Sequence, residues 1–352
     1  MTTLPYIPIL KWKESEIDAL KALDELVRQN VTPLFSLVPK EIRTKDDDYL
    51  DVSPKDILQD AITRCQKLFG GMKVYLDPSP LFDSSEKQNA FNSMIGCSTL
   101  LGNNLVPVIE LGDLTTINAT AELISFFQTQ GVCLRIKSIA KDFSLETVEE
   151  QFASKFKLDT AKVDLLFDSG ITDHTFSKKF INFIKINPKL NVWRSLYFTS
   201  GNFPKDLTNY KTGNKKLERE DWCLWQRILK ELNDVVNLGY GDYTIQHPIY
   251  IAPPRIPHTS YSIRYALEDD WLIMRGQADN AKKSKGNKQY FAHAKILVSN
   301  NMFAGEKCCK GCQYIKEVSE NINGNLGNPR KWLSVGIGHH ITLTTHQLSN
   351  LN

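Results

Sequence analysis

Short apolar, β-branched runs alternate along the chain with longer stretches whose apolar residues recur at helical spacing. The runs fall at residues 6–10, 32–38, 72–76, 105–109, 132–136, 163–167, 192–198 and 236–243. The pair returns about every 25–45 residues, the pattern of a parallel sheet covered by helices. Residues 15–29 carry Ile17, Leu20, Leu23 and Leu26 on one helical face, and Ser53 opens a helix through residue 69 with Pro54 at its first position. Residues 118–130, 145–156, 177–186 and 220–233 repeat the pattern. Eight strand–helix pairs in series predict a (β/α)8 barrel of the TIM type. The competing fold is an open doubly wound sheet, which would want a glycine-rich phosphate loop after its first strand; none is present.

After Tyr243 the style changes. Residues 246–258 are proline-rich, and residues 262–267 and 271–275 flank Glu268-Asp269-Asp270 as strand, turn and strand. Residues 289–298, 311–320 and 340–348 read as helices. The expected organisation is a barrel over residues 1–300, including a hairpin near 261–276, and a helical extension over 301–352 packed on it.

Composition changes this picture little. The 352 residues are 41% hydrophobic and 24% charged, with 19 Gly and 15 Pro, which excludes collagen-like or mainly disordered chains. A net charge of +3 announces no global nucleic-acid field. The lysine-rich loop 282–288 reads as a solvated segment, because base readout also needs placed polar or aromatic contacts. No apolar run approaches the ~20 residues of a membrane helix. The start, Met1-Thr2-Thr3-Leu4-Pro5, lacks a secretory pattern, and seven cysteines are an odd number for a disulfide framework. A cytoplasmic protein is expected, without a membrane or nucleic-acid partner.

Candidate chemistry lies where the strands end, since a barrel gathers those ends at one mouth. Lys11, Asp77, Glu110, Arg135, Asp168 and Asp242 each close a run, and Arg264 and Arg275 on the hairpin arms are expected near the rim. Such a ring can serve acid–base work, hold a hard divalent ion, or clamp an anionic ligand through Lys11 and Arg135. Cys308, Cys309 and Cys312 contain a CxxC, and His339 and His340 follow far downstream. A structural zinc site usually pairs two tight ligand motifs, so buried thiols are the simpler reading and no metal is assigned. GxSxG, Walker A, HExxH and GxGxxG motifs are absent.

Several segments together resemble the Beta protein family, named for a satellite-coliphage protein. They are Tyr6-Ile7-Pro8-Ile9-Leu10-Lys11-Trp12-Lys13 with Glu16, Ala19 and Leu20; Leu134-Arg135; Phe167-Asp168; Arg219-Glu220-Asp221-Trp222; and Gly241-Asp242-Tyr243. His247-Pro248, Arg264-Tyr265, Arg275-Gly276, Trp332 and Gly338-His339-His340 continue the likeness over nearly the whole chain. The resemblance implies a phage- or prophage-borne protein that restrains a toxic partner, called Gop, within an anti-phage defence cassette. It brings no catalytic residues, and the cysteine group at Cys308 is the part it matches least. Two functions are therefore expected. The first is a regulator that neutralises a toxic protein and senses a small anion in the barrel mouth. The alternative is a metal-dependent phosphoester or nucleotide-processing hydrolase. No cofactor is assigned to the first; a divalent ion belongs to the second.

Overall fold

A computed structural model describes residues 4–43, 49–101, 104–232, 235–252, 260–282 and 284–351. Residues 1–3, Asn233, the proline-rich stretch from 253 to 258 and Lys283 of the basic loop lie outside the described residues.

Eight parallel strands close into one barrel, in chain order around the ring. They are β1 (Tyr6–Lys11), β2 (Leu34–Ser36), β3 (Val74–Asp77), β4 (Leu105–Glu110), β5 (Val132–Ile136), β6 (Val163–Ile171), β7 (Ser195–Gly201) and β8 (Leu238–Asp242). Tyr6 pairs with Tyr240 to join the first strand to the last. The (β/α)8 barrel expected from the alternation is the observed fold. Covering helices start where side chains can satisfy free backbone N–H groups. Ser53, Thr120 and Ser144 accept from Asp56, Leu123 and Thr147, and Asp173 accepts from Thr175.

Parity along each strand decides which residues enter the barrel. Ile7, Ile9, Leu34, Tyr75, Val106, Val108, Cys133, Leu166, Tyr197 and Tyr243 form a separate apolar cluster inside it. Their neighbours, such as Tyr6, Leu10, Phe35, Leu134 and Phe167, belong to the larger core beneath the helices. At the lower end Asp164 is fully buried and accepts from Arg194, Lys73 and Tyr75. Both ends of the interior are thus charged, with an apolar middle.

A second layer follows. Gly213–Glu218, Asp270–Arg275 and Ile263–Ala266 form an antiparallel sheet, with Asp270–Arg275 in the centre. Helices Lys288–Val298, Lys310–Glu320 and Pro329–Ser349 complete it around Ile263, Tyr265, Met274, Ile315 and Trp332. The last helix also packs on Glu14–Lys21, where Arg330 meets Asp18 at 2.6 Å.

Several elements differ from expectation for identifiable reasons. The helix expected over 15–29 divides into Glu14–Lys21 and Glu25–Gln29, with Asp24 extended between them. Gly213–Glu218 is polar and exposed, so it shows no alternation and is defined by its ladder to Asp270–Arg275. Helix Lys87–Leu101, between β3 and β4, had no counterpart in the sequence reading. The terminal helix begins at Pro329, eleven residues before its expected start, because it is buried on most sides and carries no single apolar stripe. No described helix is long and apolar enough to cross a membrane.

Gly239 and Gly241 of β8 make room inside the barrel. A Cβ at Gly239 would lie 2.4 Å from the Tyr197 ring and 2.9 Å from the Pro5 carbonyl oxygen. Gly239→Ala should therefore cost about 1–3 kcal/mol through overpacking. A thermal melt indistinguishable from that of the parent chain would show that the interior has slack there.

Candidate functional site: the barrel mouth

β5 carries Arg135 into the interior because Cys133, two residues earlier, already faces inward. Arg135 is almost wholly buried and stands between two carboxylates. Its Nη1 donates to Asp77 Oδ2 at 2.5 Å, while Nε and Nη2 donate to Asp168 Oδ2 at 2.8 and 2.5 Å. Nη2 also reaches the Tyr243 hydroxyl at 2.7 Å, and that hydroxyl donates to Asp168 at 2.7 Å. The remaining carboxylate oxygens are also satisfied. Ser79 N–H donates to Asp77 Oδ1 at 2.9 Å, and Gly170 N–H donates to Asp168 Oδ1 at 2.8 Å. Burial opposes the charge of Arg135, but Tyr243 and the two carboxylates outweigh it and hold its pKa well above the ordinary value.

Above this floor opens a cavity of about 270 Å³, lined among others by Lys11, Ser36, Arg135, Lys137, Asp168 and Tyr243. His247, Pro248 and Tyr250 come from the segment after β8: Lys11 Nζ donates to the His247 carbonyl at 2.8 Å, and Pro248 and Tyr250 line the wall. Burial pushes the Lys11 ammonium down to about 8, with Lys13 and Arg264 acting the same way and Glu16 opposing. Glu16 is buried behind β1, where it accepts from the Lys11 backbone N–H and from Gln246 Nε2. Burial raises its carboxyl to about 7 despite Lys11.

The eight residues expected at one mouth separate into groups. Lys11, Arg135 and Asp168 line the cavity, and Asp77 lies beneath it, bound to Arg135. Glu110 is held at the side by Lys137 at 2.5 Å and Lys87 at 3.2 Å, and Lys87 also pairs with Asp113 at 3.0 Å. Asp242 is elsewhere. In β8 the inward positions are Gly239 and Gly241, and Tyr243 just beyond the strand keeps step with them, so Asp242 faces out, accepting from Tyr6 and pairing with His340 Nε2 at 2.7 Å. Arg264 donates to the Ile245 carbonyl at 3.1 Å and lines a different cavity with Ser262, Tyr290 and Trp332. Arg275 donates to the Thr208 carbonyl at 3.2 Å and does not line the mouth cavity. The expectation for the hairpin arginines is corrected to this extent: neither lines the mouth cavity, and their strands belong to the second-layer sheet.

Tyr243, Ser36 and Lys137 were not among the site residues expected from sequence. Parity would have found them, since each keeps step with an inward residue two positions earlier: Gly241, Leu34 and Arg135. The acidic ring is not a set of free ligands, because Asp77 and Asp168 are ion-paired to Arg135 and Glu110 to Lys87 and Lys137. One further cluster lies outside the barrel. Cys308, Cys309, Cys312 and His339 place their ligand atoms within 4.8 Å of one another, while His340 is committed to Asp242.

Fold and site together define a (β/α)8-barrel protein with a charge-compensated mouth and an appended α/β layer. Residues 6–346 match the family model of the Beta protein, and the chain belongs to the Beta protein family. No curated protein matches the chain.

Removing the central cation should leave two buried carboxylates without their partner. Arg135→Ala is expected to lose about 3–5 kcal/mol of stability, whereas Arg275→Ala should stay within about 0.5 kcal/mol of the parent. Chemical denaturation of the two variants checks this, and equal losses would remove Arg135 from its central place.

Proposed function

We propose that this protein restrains a toxic partner encoded by the same mobile element, and that its barrel mouth senses a small anionic ligand. The observation that carries the first half is the match to the Beta protein family over residues 6–346. The mouth favours binding over turnover. Its two inner carboxylates are both ion-paired to Arg135 and have a donor on every oxygen, which makes them poor bases and poor ligands for a divalent ion. Lys11 and the half-exposed Lys137 remain at the cavity wall as the cations an anion would meet. Occupation there would press on the segment carrying His247, Pro248 and Tyr250, a physical route from ligand to outer surface. A cytoplasmic site of action follows from this role.

Co-expression with the toxic partner should restore host growth, and Lys11→Met with Lys137→Met should keep the fold while changing the response to the trigger. Undiminished killing at matched expression levels would refute the restraint.

Anion binding at Lys11 should also depend on pH in one direction. The folded-state pKa is lowered from 10.5 to about 8, so the ammonium is lost as pH rises through about 8. Sulfate, whose charge is constant over this range, should bind more weakly above pH 8 in a fluorescence titration. Lys11→Met should flatten the profile; binding that ignores pH in the parent chain would exclude Lys11 as the anion contact.

A further inference from the structure

We propose that Cys308, Cys309, Cys312 and His339 form a structural zinc site of the Cys3His type. Their four ligand atoms all lie within 4.8 Å of one another. His339 Nδ1 stands 3.3 Å from Cys312 Sγ, 3.9 Å from Cys309 Sγ and 4.0 Å from Cys308 Sγ. A tetrahedral zinc with Zn–S of about 2.3 Å and Zn–N of about 2.0–2.1 Å has N–S edges of about 3.6 Å. The cluster brackets that length.

The orientation of His339 is the more telling observation. Its Nε2 lies 2.9 Å from the Ala266 carbonyl oxygen, which has no proton to give. Nε2 must therefore carry the hydrogen, and in the neutral ring Nδ1 turns a free lone pair towards the three sulfurs. A ligating histidine is normally fixed in this way, by donating its far N–H to a carbonyl or carboxylate. Tyr265 supports the ring from one face, with centroids 3.9 Å apart and planes 11° from parallel.

The sulfurs are prepared as well. Cys309 caps helix Lys310–Glu320, and its Sγ accepts the Cys312 backbone N–H at 3.4 Å. That N–H and the positive end of the helix both favour a thiolate. The Tyr265 hydroxyl accepts from Ala304 N–H at 3.0 Å, leaving its own proton to point at Cys312 Sγ, 3.4 Å away. Three of the four ligands are buried and Cys308 is partly so, as in a closed site without an open coordination position.

Sequence spacing argued against this site because the histidine follows Cys312 by 27 residues. Tertiary packing closes the gap. A Cβ at Gly336 would fall 2.6 Å from the Arg264 carbonyl oxygen, so the terminal helix approaches the sheet closely one turn before His339. Zinc would clip that helix, helix Lys310–Glu320 and, through His339 and Tyr265, strand Ile263–Ala266 into one unit.

The test uses the full chain purified without chelator. Elemental analysis should give one zinc per chain, and cobalt exchange should produce the absorption of a tetrahedral thiolate site. Cys308→Ser, which alters the least buried ligand, should weaken metal retention at least tenfold, since changing a mere partner of a ligand already costs about that much. Cys97→Ser, outside the cluster, should change nothing. Chelation should lower the melting temperature of the parent chain. Folded protein that neither retains zinc nor takes up cobalt would overturn the proposal, as would cobalt absorption unaffected by Cys308→Ser.

Discussion

One buried guanidinium organises the upper half of this barrel. Arg135 joins Asp77 on β3 to Asp168 on β6 across the interior, and Tyr243 closes the set from beyond β8. Taking these charges out of water costs several kcal/mol for each ion, which only mutual attraction and full hydrogen bonding can offset. The geometry meets that condition, with every carboxylate oxygen engaged. It also determines what the mouth can do. A floor whose charges already have their partners leaves ligand recognition to the wall, where Lys11 and Lys137 stand.

The second layer is attached through a similar division of labour between two neighbouring residues. Successive positions on a helix are about 100° apart, so His339 and His340 look in different directions from one turn. His340 reaches Asp242, which also accepts from Tyr6, so β1, β8 and the terminal helix meet at a single carboxylate. His339 turns to Ala266 and the three cysteines. Arg219 adds a further tie, donating to the Leu267 and Glu268 carbonyls, Gln347 and Thr344. Ala266, Trp271, Ile273, Ile337 and Ile341 join the barrel's main core, and the buried polar ties add direction to that apolar contact.

The barrel was legible because its strands are buried on both faces and read as unbroken apolar runs. The site was legible only in part, because strand ends set height along the barrel axis while parity sets the side. Arg135, Asp168 and Lys11 satisfy both conditions. Asp242 satisfies the first alone, and the glycines flanking its neighbour Tyr240 hold the inward places. The polar strand Gly213–Glu218 and the stripe-free helix Pro329–Ser349 left no periodic trace, since their partners lie far away in sequence. The cysteine cluster was hidden for the same reason.

The pairing of Tyr6 with Tyr240 bears on how the chain is made. During synthesis β1 emerges first, yet one of its two flanks stays open until β8 follows, more than two hundred residues later. The terminal helix, which packs on Glu14–Lys21 and supplies the partner of Asp242, comes later still. Contacts of such sequence separation are slow to form, so most of the barrel has left the ribosome before its seam can close. The nascent protein must therefore be shielded or fold quickly at the seam, and substitutions there should reduce yield in the cell more than they reduce the stability of molecules already folded.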